Sequence, residues 1–391
     1  MFQFLEKPGP YAVGLKVVEL CDVSRKCPYP VQLASEPAVK DRGRLIQALL
    51  WYPSERGPDS PIKVGDYVSL LESGPAHDTL SADQWRSDMG AMLTSSMWAA
   101  CGAASLPGGF PTVVYAPGFS GVSWENADLC EFLASHGYLV VASSSLGAST
   151  PNMTYDLEGL DTQARDISFL IDSVKTLSIL NERRVAVVGF SWGGLANIFA
   201  AARDPRISAL VSLDGSLRFS PGFLRQAGDI HPEQMTVPLL SIAQGQLTLE
   251  DWERLTQTTE REGPNILNRW THADVLSLYM LGMAHGEFGS MYQRNETTWR
   301  EVFHEWHLRR GGYTREHVLS GYAWMARYVL TFLDAYLKYD TAAKAFLSRT
   351  PAENGVPPHM IAAQFRPANC AVAGNGCATG DGAVRASLNR P

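Results

Sequence analysis

Short runs of apolar residues alternate with longer amphipathic segments over most of this chain. A continuous apolar run is typical of a strand buried on both faces, and apolar positions three or four residues apart are typical of a helix. Strands are predicted at 112–115, 138–142, 184–188, 207–213, 237–243 and 275–281, and helices at 125–136 (with Ser123 as candidate N-cap), 160–177, 194–200 and 321–339. This alternation predicts an α/β fold with a mainly parallel central sheet and helices on both faces.

Two more strands are predicted near the N-terminus, at 11–20 and 44–52, as an antiparallel start to the sheet. The following segment has no strong strand pattern and contains one moderately helical piece at 81–93. We interpret the chain as a single domain, because α/β folds of this length often form one unit. The predicted boundaries are a domain over 1–391, a catalytic core at about 105–340, cap or loop insertions at 54–110, 216–236 and 246–273, and a loop-like tail at 368–391.

Composition excludes some classes of partner. The 33 Lys and Arg residues against 40 Asp and Glu give a net charge of −7, and no basic cluster interrupts the sequence. We therefore expect no nucleic-acid partner. No apolar run reaches the roughly 18 residues of a membrane span, and the N-terminal stretch lacks the basic end and apolar core of a signal peptide. We expect no integral membrane association, and the oligomeric state is left open.

Four of the six cysteines form two pairs that are close in sequence. Cys21 and Cys27, like Cys370 and Cys377, lie in loop-like stretches that short disulfides could close. Disulfides at Cys21–Cys27 and Cys370–Cys377 favour a periplasmic or secreted protein, whereas free thiols favour a cytoplasmic one. Neither pair has the spacing of a metal knuckle, so no metal site is predicted.

A glycine-rich stretch around Ser191 is the most specific motif of the chain. Residues 189–193 read Gly-Phe-Ser-Trp-Gly, after the β-branched run at 184–188 and before a helix-compatible run. A Ser at a sharp turn from strand to helix is typical of a nucleophile elbow, where small neighbours leave room for a strained backbone. Ser191 is therefore the candidate nucleophile.

Candidate partners for Ser191 follow later strands, since ligands bind beyond the carboxyl ends of the strands of a parallel sheet. Asp214 ends the strand predicted at 207–213, and His285 follows the strand predicted at 275–281. The chain order Ser, Asp, His is that of an α/β-hydrolase triad, in which His moves the proton and Asp orients the ring. Glu250 or Asp251, after the strand at 237–243, remains the alternative acid.

Stabilising an oxyanion requires two backbone N–H groups near the nucleophile. One comes from the residue after the nucleophile, Trp192, and the other from the loop after the strand that ends at Tyr115. That loop, Ala-Pro-Gly-Phe-Ser-Gly at 116–121, contains glycines that let the backbone approach a substrate, and we assign its N–H to Phe119.

With these motifs the chain resembles the α/β-hydrolases of the dienelactone-hydrolase and platelet-activating-factor-acetylhydrolase type. The resemblance rests on Pro-Gly-Phe-Ser-Gly at 117–121, Gly-Phe-Ser-Trp-Gly-Gly at 189–194, Leu-Asp-Gly at 213–215 and Ala-His-Gly-Glu-Phe at 284–288, and spans roughly 10–340. It implies the α/β-hydrolase fold, a Ser or Cys nucleophile, an acid after the strand that follows the elbow, and ester hydrolysis. The sequence departs from it in Pro117, where the oxyanion loop usually has His, and in Ser191, where dienelactone hydrolases proper have Cys.

The expected function is cofactor-independent hydrolysis of small to medium carboxylic esters through an acyl-enzyme. Trp124, Phe190 and Phe288 are candidate substrate-binding residues, because the motifs place them near the strand ends. An amidase or peptidase, or a lipid hydrolase of the phospholipase kind, would use the same triad. An inactive hydrolase fold used as a binding module is the alternative from another class.

Overall fold

The computed structural model of this chain describes a large part of its sequence. The described residues are 2–26, 31–33, 36–39, 43–57, 60–73, 75, 81–176, 180–218, 220–245, 266–304, 307 and 312–368. The candidate acids Glu250 and Asp251 lie outside them, as do Cys27, Cys370, Cys377 and most of the insertion predicted at 246–273.

One large sheet organises the described part of the chain, in the order β12-β11-β10-β9-β8-β6-β7-β4-β1-β5. Its strands are β1 (Ala12–Lys26), β4 (Gly43–Ser54), β5 (Ala99–Cys101), β6 (Phe110–Ala116), β7 (Leu139–Ser143), β8 (Leu180–Phe190), β9 (Ile207–Leu213), β10 (Leu239–Gln244), β11 (Val275–Met280) and β12 (Ile361–Arg366). The strands from β7 through β6, β8, β9 and β10 to β11 are parallel, whereas β4 and β12 pair antiparallel at the two sides. A separate small sheet pairs β2 (Val31–Leu33) with β3 (Glu36–Val39).

Helices cover both faces of the large sheet. They are α1 (Val64–Ser69), α2 (Ala82–Met89), α3 (Ala127–Ser135), α4 (Leu157–Thr176), α5 (Trp192–Arg203), α6 (Pro221–Ala227), α7 (Ile266–Arg269), α8 (Ser290–Arg294), α9 (Glu296–Thr298), α10 (Arg315–Leu337) and α11 (Thr341–Leu347). Short 3-10 helices occupy Leu70–Glu72, Gly90–Thr94, Ser216–Arg218, Pro232–Gln234 and His285–Phe288, and a π-helix occupies Trp299–Phe303.

The hydrophobic core has two halves because side chains alternate between the faces of each strand. On β6, Val113 and Tyr115 join the half that contains α3 and α10, whereas Val114 and Ala116 join the half that contains α4 and α5. The central strands are therefore apolar at almost every position, which explains why they appear in the sequence as continuous hydrophobic runs.

The predicted fold class is confirmed: the chain has a mainly parallel sheet with helices on both faces. Three local expectations were wrong or incomplete. Ser123 does not cap α3, since that helix starts at Ala127 with Asn126 at the N-cap position. The insertion at 54–110 contributes the edge strand β5, and β12 was not expected. Neither edge strand has a marked apolar pattern of its own, so the sequence did not reveal them. Each becomes a strand by pairing with its neighbour.

Two sequence expectations concern the cellular setting. Cys21, Cys101 and Cys130 form no disulfide with one another, so none occurs among the described residues. The pairings Cys21–Cys27 and Cys370–Cys377 each involve residues outside that part of the chain and stay predictions. No helix in the described ranges is long and apolar enough to cross a membrane.

A buried ion pair fastens α8 to α3. The guanidinium of Arg294 donates to both carboxylate oxygens of Asp128, at 3.1 and 2.6 Å, and the two side chains are only 7% and 6% exposed. Arg294→Met is expected to lower the free energy of unfolding by about 3–5 kcal/mol, because it leaves the Asp128 carboxylate buried without its partner. Chemical denaturation measures this change.

The double variant Arg294→Met/Asp128→Leu is the matched control. It removes both charges, so it should recover most of the lost stability. A double variant as unstable as Arg294→Met alone would show that the ion pair is not the cause.

Candidate active site

Ser191 occupies the tight turn between β8 and α5. Its backbone has φ 51° and ψ −113°, a positive-φ conformation that is uncommon for a residue other than glycine and often marks a functional site. The turn requires glycines: a Cβ on Gly189 would lie 2.3 Å from the carbonyl oxygen of Gly193, and one on Gly193 would lie 2.1 Å from that of Ala116. The glycines therefore let the start of α5 pack closely against the end of β8. Ser191 stands between them, just beyond the carboxyl end of β8.

The structure brings the three predicted side chains of the triad into one hydrogen-bonded row. His285 Nε2 lies 2.9 Å from Ser191 Oγ, and His285 Nδ1 lies 2.6 Å from Asp214 Oδ2. Each side chain follows the carboxyl end of a different parallel strand, β8, β9 or β11, so the sheet itself makes them converge. Asp214 is 6% exposed, and its other carboxylate oxygen accepts a hydrogen bond from the backbone N–H of Gln244 at 2.9 Å.

The His285 ring is held from two directions and is electrostatically perturbed. Phe190 stacks on the imidazole with ring centroids 5.0 Å apart. Partial desolvation lowers the pKa of His285, but the hydrogen bond and charge of Asp214, with a smaller contribution from the charge of Glu125, outweigh it and leave the pKa above its ordinary 6.5. Such an imidazole accepts a proton more readily than a free one.

The two predicted oxyanion donors lie beside Ser191. Trp192 is the first residue of α5, and Phe119 lies in the loop whose Gly118 comes close to the nucleophile: a Cβ on Gly118 would be 3.5 Å from Ser191 Cβ. Neither the Phe119 nor the Trp192 backbone N–H has a hydrogen-bond acceptor among the described residues. Free N–H groups at a helix N-terminus and in an adjoining loop are a suitable arrangement for binding an anion.

The candidate substrate-binding residues need correction. Trp124 and Phe288 are 1% and 0% exposed and pack in the core, Trp124 edge-on against Trp85, so neither presents a surface to a ligand. Both residues are close in sequence to the motifs of the site, but the backbone directs their side chains into the core. Phe190 is 4% exposed and contacts His285 instead.

Sequence reasoning missed the aromatic side chain of Tyr155. It is 53% exposed, and its ring lies 4.9 Å from that of Trp192 and 6.1 Å from that of Phe119, which is 43% exposed. Phe119 and Tyr155 together form an exposed aromatic pair beside the nucleophile turn. Tyr155 belongs to the irregular segment between β7 and α4, and no spacing or motif in the sequence connects it to Ser191.

The sequence analysis also did not select two buried carboxyl groups near the site, those of Glu125 and Glu287. Glu125 lies behind the Phe119 loop, and Glu287 accepts hydrogen bonds from the Ala284 backbone N–H at 2.7 Å and from the Trp299 indole at 3.1 Å. His307 belongs to no metal-binding motif in the sequence. Its Nε2 atom lies 2.9 Å from Glu287 Oε1. Within the described ranges no group of three or more His, Cys, Asp or Glu side chains is placed to hold a metal ion.

Comparison with known proteins agrees with this architecture. Residues 111–255 match the family model described as alpha/beta hydrolase fold. A solved structure of a ferulic acid esterase from Streptomyces cinnamoneus superposes with a TM-score of 0.64 at 21% sequence identity, covering 93% of this chain and 98% of that one. No curated protein sequence matches significantly. The chain therefore has the α/β-hydrolase fold, whereas its resemblance to the dienelactone-hydrolase type remains a hypothesis.

The electrostatic setting of His285 gives a measurable titration. NMR of the imidazole should show a pKa above 6.5, and Asp214→Asn should lower it, because the variant removes the negative charge that stabilises the imidazolium. His285→Asn identifies the resonance. An unchanged pKa in Asp214→Asn would contradict the assigned electrostatic partner.

Proposed function

We propose that this protein is a serine hydrolase that cleaves carboxylic esters through an acyl-enzyme. The observation that carries the proposal is the continuous row of hydrogen bonds from Asp214 through His285 to Ser191. A Ser hydroxyl is a weak nucleophile on its own and is activated by an adjacent base that a third group orients. The Phe119 and Trp192 N–H groups, which have no acceptor among the described residues, support the same proposal, since Trp192 directly follows Ser191 and the Phe119 loop packs against the nucleophile turn.

The reaction would proceed in two halves. Ser191 Oγ attacks the ester carbonyl carbon while His285 Nε2 takes the hydroxyl proton, and the carbonyl oxygen becomes an oxyanion that receives hydrogen bonds from Phe119 and Trp192. The bond to the alcohol oxygen then breaks, and His285 returns the proton to the departing alcohol. Water adds to the acyl group on Ser191 with His285 as base, and collapse releases the acid and restores the hydroxyl.

Asp214 acts through the imidazole in both halves. Its carboxylate accepts a hydrogen bond from the Nδ1–H group, and this tautomer leaves Nε2 free to accept the proton of Ser191. It also stabilises the imidazolium that exists between the two proton transfers. The hydrogen bond from Gln244 fixes the carboxylate at the end of β9.

The exposed aromatic pair indicates the substrate class. Phe119 and Tyr155 offer ring faces within reach of the nucleophile turn, and burying them against a flat apolar group would be favourable. We propose small to medium esters with an aromatic or apolar part. That a ferulic acid esterase shares this fold is compatible with the proposal, but at 21% identity it does not define the substrate.

Removal of the nucleophile is the first test. Ser191→Ala should fold normally and lose about 10³-fold or more in kcat. Asp214→Asn should lower kcat steeply with little change in KM, because the shape is kept and the wrong tautomer is favoured. Steady-state kinetics on an aryl acetate measure both. Near-normal turnover by Ser191→Ala would contradict the mechanism.

A substrate panel tests the proposed ester class. Short-chain aryl esters should be hydrolysed with the highest kcat/KM, which should fall as the acyl chain lengthens. Tyr155→Ala should raise KM for aryl esters more than for alkyl esters, by about tenfold if one aromatic contact is lost. Tyr155→Phe keeps the ring and serves as control. Faster hydrolysis of long-chain triglyceride or phospholipid emulsions would point instead to a lipid hydrolase.

A further inference from the structure

The carboxyl group of Glu125 is fully buried directly behind the Phe119 loop. Its Oε1 atom accepts hydrogen bonds from the Gly118 backbone N–H at 2.8 Å and from the Tyr115 hydroxyl at 2.9 Å. The Tyr292 hydroxyl lies 3.4 Å from Oε2. A buried carboxyl group is costly unless its partners repay the desolvation, so this position calls for an explanation.

The hydrogen bonds of the loop at 117–121 suggest what this carboxyl group does. Gln163 donates to the carbonyl oxygen of Pro117 at 2.8 Å, the Gly121 N–H donates to that of Gly118 at 2.9 Å, and the Ser145 N–H donates to that of Gly121 at 2.9 Å. The Gly118 N–H donates to Glu125. The loop is therefore tied down on both sides of Phe119, whose own N–H has no acceptor among the described residues.

Close packing makes the position of the loop depend on Glu125. A Cβ on Gly121 would lie 2.5 Å from Glu125 Oε2, so the carboxyl group fills the space beside that glycine. On the opposite side, a Cβ on Gly118 would lie 3.2 Å from the Phe190 ring and 3.5 Å from Ser191 Cβ. The loop is thus confined between the buried carboxyl group and the nucleophile turn.

The same segment also contacts the loop that carries His285. The Glu125 carbonyl oxygen accepts a hydrogen bond from the Met291 N–H at 3.0 Å. The neighbouring Asn126 donates to the Phe288 carbonyl oxygen at 3.0 Å and accepts from the Ser290 N–H at 3.1 Å. Residues 125–126 therefore connect the Phe119 loop to the chain just after His285.

We propose that Glu125 is a positioning residue that holds the Phe119 loop, so that the Phe119 N–H faces the oxyanion formed at Ser191. This role rests on the proposed ester hydrolysis, for which the oxyanion donors must stand in place before the reaction begins. Glu125 does not contact the substrate; it acts through the Gly118 N–H. Burial outweighs the lowering effect of the hydrogen bonds from Gly118, Tyr115 and Tyr292, and the net pKa of Glu125 is raised to about 7.

Two substitutions at position 125 separate this role from simple packing. Glu125→Met fills similar volume but removes the acceptor for Gly118, so kcat should fall about 10- to 100-fold while KM changes less than about threefold. Glu125→Gln keeps an acceptor oxygen and should restore kcat to within about threefold of the unaltered enzyme.

Glu131 provides a matched control on the same segment of chain. It is 1% exposed and accepts hydrogen bonds from a Tyr hydroxyl (Tyr67, 2.7 Å) and a backbone N–H (Trp98, 2.6 Å), as Glu125 does, but neither partner belongs to the Phe119 loop. Glu131→Met should lower the thermal midpoint and leave kcat within about threefold. Equal kcat losses in Glu125→Met and Glu131→Met, or a Glu125→Gln variant as slow as Glu125→Met, would overturn the proposal.

If Glu125→Met does not fold, Gly121→Ala gives an independent test. Its added methyl carbon would lie 2.5 Å from Glu125 Oε2 and 3.0 Å from the Gly118 backbone N and O, so the contact between the carboxyl group and the loop would be displaced and kcat should fall about tenfold or more with KM retained. Unaltered kcat in Gly121→Ala would contradict the positioning role.

Labelling of Ser191 by a fluorophosphonate probe separates failure of this inference from failure of the proposed function. An unlabelled Ser191 in the unaltered protein would refute ester hydrolysis through Ser191, and with it the role of Glu125. Normal labelling together with equal kcat in the two Met variants would refute the role of Glu125 alone.

Discussion

The close approach between the end of β8 and the start of α5 is the constraint on which the candidate site depends. Gly189 and Gly193 allow the strand and helix to meet with separations that no Cβ could occupy. That contact forces Ser191 into its strained positive-φ conformation and puts its hydroxyl next to the free N–H groups at the start of α5. Strands β6 and β9 pair with β8 on its two sides and hold the strained turn in place.

The rest of the site is assembled from separate loops whose positions are fixed by buried polar contacts. Asp214 is anchored by Gln244, the His285 loop is anchored by Glu287, and the Phe119 loop is anchored by Gln163 and Glu125. The side chains of Gln163, Glu125 and Glu287 are buried, so water competes weakly for their hydrogen bonds and the loops are held firmly. The parallel strands bring these loops together beyond their carboxyl ends, and the buried hydrogen bonds set the final geometry of the loops.

The sequence predicted well what depends on local pattern. The buried strands appeared as apolar runs, and Ser191, Asp214 and His285 could be selected because each follows such a run at the edge where parallel strands end. Tyr155 and Glu125 could not be selected, since their proximity to Ser191 comes from the packing of segments distant in the chain. Trp124 and Phe288 were misjudged for the same reason: nearness to a motif does not determine whether a side chain turns toward the cleft or the core. Strand β12 was missed because pairing with β11, not its own composition, makes it a strand.

The central claim is that Ser191 carries the acyl group during turnover, and trapping that intermediate tests it most directly. The enzyme would be mixed with p-nitrophenyl acetate, quenched in acid within the first turnovers, digested and analysed by mass spectrometry. An acetyl group is expected on Ser191 and should be absent from the His285→Asn variant. Turnover of the ester with the acetyl group on another residue, or with Ser191 unmodified during an observed burst of p-nitrophenol, would contradict it.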